Sequence, residues 1–405
     1  MKVVTLRTVR PRIQRNLLFV ELVADDGSVG LGEAFFSPAA VETYLHETVA
    51  PKLLGAQDPN PERLAMLLAP YVGYQGAGVE TRGNAAVDLA VWDLLGHASG
   101  LPLAELLGGP VRDHIPVYNT CAGSDYVRED KGQSSANWGV PMQASTADRD
   151  ASRYEDLQAF LHAPAALARD LWDQGLRGMK IWPFDLAAEA SGGTGLSAQQ
   201  LAVGLAVVEA VRAEVGLEMD LMVELHGLWN RRGATQIMQA LTPLRPFWVE
   251  DPLRPDAVDA LAQLAADTDV PIATGETLVG RRAFLPLLQR GAVDVVTVDL
   301  QWTGGLTEAR KVACLADAFA VPIAPHDCTG PATWATCIHL TASQPNGLVQ
   351  ESVRAFLHSW YPQLVTGLPS VENGVVRVPT APGHGVRLRD EQRSAAAADV
   401  RTSEL

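Results

Sequence analysis

The sequence lacks the features of membrane and secreted proteins. No apolar run reaches the roughly 18 residues that a membrane-spanning helix needs. The first sixteen residues, MKVVTLRTVRPRIQRN, contain basic side chains but not the continuous apolar stretch of a signal peptide. These two absences predict a cytoplasmic protein with no membrane partner.

Basic clusters and paired cysteines are also missing. The 405-residue chain has a formal net charge of −15, and no dense group of lysines and arginines stands out. Nucleic acid is therefore not an expected partner, because phosphate binding needs basic residues gathered on one face. The cysteines show no CxxC spacing and are predicted to be buried free thiols; they are Cys121, Cys314, Cys328 and Cys337.

Three glutamates follow short apolar runs at a constant interval. Glu224 lies in LMVELHGLWN, Glu250 in PFWVEDP and Glu276 in PIATGETL, each 26 residues from the next. That interval matches one strand–helix unit, so the three carboxylates are expected on one rim of a parallel barrel. Oxygen-only ligands suit Mg²⁺, with Mn²⁺ also possible, and do not suit zinc or copper.

The order of the predicted elements indicates an α/β protein with two units, which the length also favours. Residues 1–113 form an α+β unit in which LLFVELVADDGSVGLGEAFF is a hairpin. From 114 to 355, eight short strands alternate with helices at a spacing of about 25 residues, which predicts a β/α barrel of modified (β/α)7β type. The tail, about 356–405, is expected to return and complete the N-terminal unit.

One interval is longer than a barrel unit requires. The insertion, at about 123–165, contains the polar and aperiodic stretch GSDYVREDKGQSSANWGVPMQASTADRD. Long loops in compact domains are usually functional or disordered, and a loop that follows the first strand emerges where barrel active sites lie. It is predicted to be a lid or an interface loop, with a plain insertion as the alternative.

Polar side chains occur at successive strand ends, which face the mouth of a barrel. They are Lys180, Glu224 with His226, Glu250, Glu276, Asp299, His326 and Glu351. Any one of them could be structural, as a helix cap for example. Their recurrence around the rim instead predicts a shared metal site.

Several motifs resemble those of the enolase superfamily, in its mandelate racemase branch: VELH, VEDP, ATGET, VDLQWTGGLTEA, APHDCTGP, QESVR and AAVDLAVWDLLG. The chain is most similar to the sugar-acid dehydratases of the galactonate and mannonate kind, over nearly its whole length. The resemblance implies an N-terminal capping domain with loops such as 35–38 or 71–78 over the mouth. It also implies a Mg²⁺-dependent lyase, a small acid sugar as substrate, and a homo-oligomer.

The resemblance further implies roles for the rim residues. The three glutamates would hold the cation, although the family usually has Asp at the position of Glu224. His326 would remove the proton α to the substrate carboxylate, with Asp299 orienting its ring. His226 would protonate the departing β-hydroxyl, which needs an acid because hydroxide leaves poorly.

The second barrel strand distinguishes between reaction types. Racemases of the branch carry K-x-K at its end, whereas this chain has Lys180, Ile181 and Trp182. Because an indole cannot take a proton, two-base racemisation is disfavoured, and Lys180 is expected as a cation beside the substrate carboxylate. Glu351 would bind that carboxylate in its protonated state, or bind a hydroxyl. The remaining substrate-binding candidates are Trp182, Trp302, Asp327 and Arg354.

The expected product is a 2-keto-3-deoxy acid. Two other functions stay open: a one-base epimerase or cycloisomerase of acid sugars, and a catalytically silent member that binds metal or sugar. The sequence does not select the diastereomer or the chain length of the substrate, because loops read the hydroxyl configuration.

Overall fold

The computed structural model describes residues 1–56, 60–69, 78–127 and 154–405. An α+β unit opens the chain with the strands β1 (Val3–Pro11), β2 (Leu17–Ala24) and β3 (Val29–Phe35). Its helices are α1 (Pro38–Tyr44), a π-helical turn (Leu45–Val49), α2 (Ala50–Leu53), α3 (Pro61–Leu68), α4 (Val79–Ser99) and α5 (Leu103–Leu106).

The predicted hairpin is confirmed. Strands β2 and β3 pair antiparallel, and the turn between them is closed by a 2.9 Å hydrogen bond from the backbone N–H of Ser28 to Oδ1 of Asp26. Gly27 has a φ of 86°, a left-handed conformation that costs glycine little. One face of the sheet packs on α4, and the two elements share a core of aliphatic side chains.

The second unit is a ring of short strands with helices between them. Its elements, in chain order, are β4 (His114–Thr120), α6 (Asp156–His162), α7 (Pro164–Asp173), β5 (Gly178–Ile181), α8 (Asp185–Ser191), α9 (Ala198–Val215), β6 (Asp220–Glu224), α10 (Arg231–Leu241), a 3₁₀ turn (Thr242–Leu244), β7 (Trp248–Glu250), α11 (Val258–Ala266), β8 (Ile272–Thr274), α12 (Arg281–Gln289), β9 (Val295–Val296), α13 (Leu300–Thr303), α14 (Leu306–Ala318), α15 (Pro331–Ser343) and β10 (Gln350–Ser352).

The ring closes, as the sequence predicts. Strands β4 to β9 pair in parallel in chain order, and β10 pairs in parallel with β4. The seventh predicted strand is reduced to bridges: Ile323 pairs with Val296 and Gly347, and His326 pairs with Asp299. The α/β barrel with an N-terminal α+β cap is therefore confirmed.

The interior of the barrel is filled by side chains from successive strands. A separate buried cluster takes one residue from each of six strand segments: Tyr118, Met222, Trp248, Ala273, Val295 and Ala324. Such a filled interior leaves only the strand ends free to build a site. The outer helices pack on the strands through a much larger core.

The tail is divided between the two units. It contains α16 (Arg354–His358), α17 (Tyr361–Leu364), β11 (Val365–Thr366), β12 (Val371–Glu372), β13 (Val375–Arg377), β14 (Arg387–Leu388), a 3₁₀ turn (Asp390–Arg393) and β15 (Ala398–Glu404). Strand β15 pairs with β1 at the edge of the N-terminal sheet, whereas β13 pairs with β4 of the barrel. The tail therefore returns to the N-terminal unit through β15 and through Gly383 and His384, which bind Leu103 and Asp93, while β13 joins the barrel.

The cysteine prediction is partly wrong. All four thiols are free, but only Cys121 and Cys337 are buried; Cys314 is exposed and Cys328 is half-buried. Helix α14 turns Cys314 outward, and Cys328 lies at the strand-end cavity. In the described part of the chain, no helix is both long and apolar enough to cross a membrane.

Replacing Gly32 with Ala is expected to destabilise the capping unit. A Cβ at this position would overlap the backbone of α4 at Ala86 and Ala90, and such overpacking typically costs about 1–3 kcal/mol. Thermal unfolding should show a lower midpoint. Gly195→Ala is the matched control, since a Cβ there meets nothing within 4 Å; equal midpoints for the two variants would contradict the close packing of β3 on α4.

Candidate active site

The three equally spaced glutamates meet at the mouth of the barrel. Glu224 and Glu250 are the last residues of β6 and β7 and lie opposite each other in the parallel register. Glu276 follows two residues after the end of β8. One oxygen from each carboxylate lies within 4.8 Å of the others. The constant spacing in sequence thus becomes a three-carboxylate cluster, because each strand–helix unit returns the chain to the same rim.

Two of these carboxylates have one oxygen held by the protein and one left over. Glu224 Oε1 accepts a 2.7 Å hydrogen bond from the backbone N–H of His226, and Glu250 Oε2 accepts one of 2.9 Å from the indole N–H of Trp248. Glu224 Oε2 and Glu250 Oε1 are buried and accept no hydrogen bond from a described residue, and the only cation the protein places near both of them in the described part of the chain is the Lys180 ammonium, 3.5 and 3.1 Å away. Buried, unsatisfied carboxylate oxygens are costly unless a cation binds them. This donor set fits a hard divalent ion such as Mg²⁺.

Lys180 lies among the carboxylates and not apart from them. Its Nζ is 3.5 Å from Glu224 Oε2, 3.1 Å from Glu250 Oε1 and 3.0 Å from Glu351 Oε1. Burial alone would lower the pKa of Lys180, but the surrounding carboxylates raise it well above its usual value. The side chain is therefore an ammonium group that offsets one of several buried negative charges.

Negative charge still exceeds positive charge in this cluster. Burial raises the pKa of Glu250 to about 8, with Lys180 acting in the opposite direction. Burial likewise raises the pKa of Glu276 to about 7, although His326 lowers it. The neighbouring Asp251, which the sequence did not single out, has its pKa raised well above its usual value by burial and by Glu276. These raised pKa values mean that protons or a further cation must offset part of the charge of the carboxylates.

His326 and Asp299 form the predicted pair. Nδ1 of His326 is 2.8 Å from Oδ2 of Asp299, and the bridge between their backbones fixes this contact. Oδ1 of Asp299 also caps α13 by accepting from the backbone N–H of Trp302 at 2.8 Å. Asp299 thus serves both as a helix cap and as the partner of the imidazole. The indole of Trp302 lies against the His326 ring, with centroids 5.1 Å apart.

The free nitrogen of His326 faces the carboxylate cluster. Its Nε2 is 3.4 Å from Glu276 Oε2 and 4.0 Å from Glu351 Oε2. Burial tends to lower the pKa of His326, but Glu276, Glu351 and Asp299 together raise it well above its usual value. Offsetting the charge of those carboxylates would lower the pKa of His326 and yield the neutral imidazole that a base requires.

A second histidine–carboxylate pair lies in the same cavity. Nδ1 of His226 is 2.8 Å from Oδ2 of Asp185, a residue at the start of α8 that sequence reasoning missed. Trp182 packs edge-on against the His226 ring at a centroid distance of 5.8 Å. Burial lowers the pKa of His226, but Asp185 and Glu224 outweigh it and raise the pKa to about 9. His226 is therefore an imidazolium at neutral pH.

His226 lies in a turn after its strand. The strand ends at Glu224, and His226 does not continue it. Its φ is 51°, a left-handed conformation that is uncommon outside glycine and often occurs at functional sites. The backbone N–H of His226 is held by Glu224 itself, so the side chain reaches the cavity through a strained turn.

Most of these groups line a cavity of about 760 Å³, whereas Glu250, Asp299 and Asp185 are not on its wall. The predicted residues on its wall are Lys180, Trp182, Glu224, His226, Glu276, Trp302, His326 and Glu351, joined by residues that were not predicted, among them Arg82, Thr120, Tyr126, Asp251 and Cys328. Phe36, from the predicted capping loop 35–38, also lines it. Residues 71–77 of the other predicted capping loop, and residues 128–153 of the predicted lid, lie outside the described residues.

Glu351 does not match the protonated acid that the family resemblance implies. Burial raises its pKa, but Lys180, His326 and hydrogen bonds from Thr120 and the backbone of Asp327 reverse this and lower the pKa to about 2. Oε2 accepts from the Asp327 N–H at 2.7 Å. Every one of these partners is a donor or a cation, so the ionised carboxylate is favoured.

Two predicted substrate-binding residues lie away from the cavity wall. Arg354 binds Asp156 through Nε and Nη2, both at 2.7 Å, and Asp170 through Nη1 at 2.6 Å, which ties α6 and α7 to the end of β10. Asp327 is buried, and its Oδ1 accepts from the Thr329 hydroxyl at 2.8 Å. Both residues follow strand ends in sequence, but the chain turns their side chains into packing contacts.

Comparison with known proteins agrees with this geometry. Residues 4–108 match the N-terminal domain of the mandelate racemase / muconate lactonizing enzyme family, and residues 163–392 match the enolase C-terminal domain-like family. A D-galactonate dehydratase from Variovorax paradoxus (strain S110) is 28% identical over 400 residues, which cover 97% of this chain and 93% of that protein.

Solved structures are similar over the whole chain. An enolase of the mandelate racemase subgroup from Agrobacterium tumefaciens has a TM-score of 0.84 at 40% identity, covering 100% of this chain and 99% of that one. An enolase protein from environmental sequencing of the Sargasso Sea has a TM-score of 0.85 at 37% identity, with the same coverage.

A closed parallel barrel, an α+β cap and carboxylates gathered at the strand ends define the class of enolase-type barrel enzymes. Within that class, the chain belongs to the enolase superfamily, in its mandelate racemase subgroup. The family predicted from the sequence motifs is confirmed.

Replacing Asp185 with Asn should lower the pKa of His226 from about 9 towards that of a free imidazole, because the largest opposing charge is removed. NMR titration of labelled histidine without divalent ions would measure this pKa, and a His226→Gln variant would assign the signal. Glu189→Gln, on the same helix, is the control and should leave the pKa of His226 within about half a unit, where a full unit corresponds to about 1.36 kcal/mol. An unchanged titration in Asp185→Asn would contradict the assigned pair.

Proposed function

We propose that this protein is a Mg²⁺-dependent acid-sugar dehydratase. It would remove the proton at C2, next to the substrate carboxylate, and eliminate the C3 hydroxyl, and the resulting enol would tautomerise to a 2-keto-3-deoxy acid. The observation that carries the proposal is the pairing of two histidines, His326 and His226, each with its own carboxylate, in one cavity. Enolisation needs one base, whereas elimination also needs an acid for the leaving group.

His326 would act as the base. Asp299 holds its Nδ1, so the neutral ring carries its proton there and offers the Nε2 lone pair to the cavity. Once Nε2 has taken the C2 proton, Asp299 stabilises the imidazolium. Trp182, where racemases of the branch have a lysine, leaves no second base at the end of β5.

His226 would act as the acid. The charge of Asp185 keeps its imidazole protonated, which supplies a proton to the departing C3 oxygen so that water leaves. Asp185 Oδ1 accepts no hydrogen bond from a described residue, and it lies beside the ring to stabilise the positive charge. The D-galactonate dehydratase relative supports this reaction class.

The cation would be held by Glu224, Glu250 and Glu276, with Mn²⁺ as a possible substitute for Mg²⁺. When bound, such an ion supplies a Lewis acid for the substrate carboxylate and for the charge that develops on it. Lys180 would contribute a second positive charge at the same end of the substrate. Trp182 and Trp302 would form apolar walls beside the two histidines.

The remaining expectations belong to the same proposal. Residues 1–113 with the end of the tail would form the cap over a catalytic barrel of residues 114–355, and the insertion after β4 would serve as a lid or an interface. The protein would assemble as a homo-oligomer in the cytoplasm, with a small acid sugar as its partner. Asp327 and Arg354 would support the site from behind through their packing contacts.

The reaction is tested by a screen of hexonates, pentonates and aldarates with Mg²⁺, in which 2-keto acids are detected and deuterium incorporation at C2 is followed. His326→Asn should abolish both product formation and exchange. His226→Gln should reduce product formation by at least about a hundredfold while C2 exchange continues. His114→Asn, an exposed histidine at the start of β4, is the control and should behave as wild type.

The outcomes separate the alternatives. Deuterium exchange at C2 without a keto-acid product would contradict the dehydratase proposal and support a one-base epimerase or cycloisomerase. Neither reaction on any acid sugar would support the catalytically silent member. Exchange retained in His326→Asn would show that another residue is the base.

Metal binding is tested through the indole that holds Glu250. Trp248→Phe removes the donor to Oε2 and should weaken Mg²⁺ binding about 10- to 100-fold, as loss of a ligand's supporting hydrogen bond typically does. Glu224→Gln should weaken it further. Isothermal titration calorimetry measures both affinities. Trp229→Phe is the control, because its buried indole N–H has no hydrogen-bond partner among the described residues; equal affinities in Trp248→Phe and Trp229→Phe would overturn the assigned site.

A further inference from the structure

A fully buried carboxylate of the capping unit lies on the barrel. Glu33, on β3, has no exposed surface. Its Oε1 accepts from the backbone N–H of Thr333 at 2.7 Å, and its Oε2 accepts from that of Ala332 at 3.1 Å. These two donors are in the first turn of α15, which follows the segment that carries His326. Glu33 therefore joins the cap to a barrel helix next to the proposed base.

Glu33 replaces a helix cap that α15 cannot supply itself. The N-cap position of α15 is Gly330, which has no side chain to accept from the first turn. Side chains that cap helices usually bind the second and third backbone N–H groups, and these are the two that Glu33 binds. A Cβ on Gly330 would come within 2.5 Å of the Glu33 carboxylate. The glycine thus makes room for a cap that comes from the other unit.

The same carboxylate reaches the segment that carries Asp299. Nε2 of Gln301, in α13, lies 3.3 Å from Glu33 Oε1, 2.6 Å from the Thr333 hydroxyl and 3.2 Å from the Thr329 hydroxyl. Gln301 is two residues from Asp299, which is the N-cap of the same helix. Glu33 is therefore bonded to both chain segments whose separation sets the contact between Asp299 and His326.

We propose that Glu33 is a positioning residue for the Asp299–His326 pair. It acts from the capping unit by holding the start of α15 and Gln301 of α13 in one hydrogen-bonded arrangement. The inference rests on the proposed function insofar as the pair is catalytic. Its consequence is that docking of the cap determines the geometry of the base, so that the cap does more than cover the cavity.

The hydrogen-bond partners of Glu33 favour its ionised form, while its burial opposes it. Each of its partners, Ala332, Thr333 and Gln301, offers a donor, and the start of a helix favours negative charge. Burial raises the pKa of Glu33 to about 7, and the hydrogen bonds from Thr333 and Ala332 oppose that rise. Glu33→Gln would put an amide N–H₂ against these donors, so one contact must break while the volume stays the same.

A neighbouring contact offers a matched control. Asp88, on α4 of the cap, accepts from the backbone N–H and the hydroxyl of Thr307 at 2.9 and 2.5 Å, at the start of α14. That helix also has a glycine, Gly305, at its N-cap position. Asp88 thus makes the same kind of contact between cap and barrel, but it has no hydrogen bond to α13 or to the loop that carries His326.

The experiment compares Glu33→Gln, Asp88→Asn and Gln301→Met with wild type, using full-length protein. Glu33→Gln should lower kcat about 10- to 100-fold, as is typical when a supporting contact is lost, with KM within about twofold, since only the transition-state geometry suffers. Asp88→Asn should lower the unfolding midpoint and leave kcat near wild type. Equal losses of kcat in the two variants would overturn the proposal, because general docking would then explain both.

A second measurement does not need a substrate. Hydrogen–deuterium exchange should rise in Glu33→Gln in two peptides, one covering 299–303 and one covering 324–330. These include the N–H groups of Trp302 and His326, which bind Asp299 and the Val298 carbonyl. Gln301→Met, which keeps the cap on α15, should loosen the first peptide more than the second, which Gln301 reaches only through the Thr329 hydroxyl. Exchange that rises only within β3 would contradict the positioning role of Glu33. This outcome does not depend on the proposed function, because it is measured without an acid sugar.

Discussion

The site depends on a surplus of buried negative charge. Glu224, Glu250 and Glu351 surround the Lys180 ammonium, and the carboxylates of Glu276 and Asp251 lie in the same buried cluster, where little water can stabilise them. Removing carboxylates from water is costly unless cations and donors compensate. The raised pKa values of Glu250 and Glu276 show how incomplete the compensation from the protein alone is. A divalent ion, as proposed, would resolve the imbalance and bring the pKa of His326 down.

The two histidines use the same construction for opposite tasks. Each has a carboxylate on Nδ1 and an indole against its ring. They differ in what faces them: His326 points its Nε2 at Glu276, a ligand of the proposed cation, whereas His226 is kept positive chiefly by Asp185. Different charge environments thus assign one ring as base and the other as acid in the proposed elimination.

Much of the fold and part of the site could be predicted from local sequence. The hairpin from 17 to 35 and the spacing of the carboxylates both follow from patterns along the chain. Asp185 was missed because its partner, His226, is 41 residues away in the chain. Arg354 was misplaced because its position after a strand end suggested the cavity, whereas Asp156 and Asp170 bind its guanidinium elsewhere.

The sequence by itself determined the barrel and the three glutamates, because strand length, helix period and the regular 26-residue interval can be read along the chain, and it indicated the family through the resemblance of its motifs. Only the tertiary structure decided which carboxylate oxygens accept no hydrogen bond and face Lys180, how His226 turns into the cavity through a positive φ, and that Glu33 caps α15. The Glu33 contact joins residues 300 apart in the chain, and only the docking of one unit on another brings such residues together. A pattern among residues near each other in the chain cannot encode a contact between residues so far apart in it.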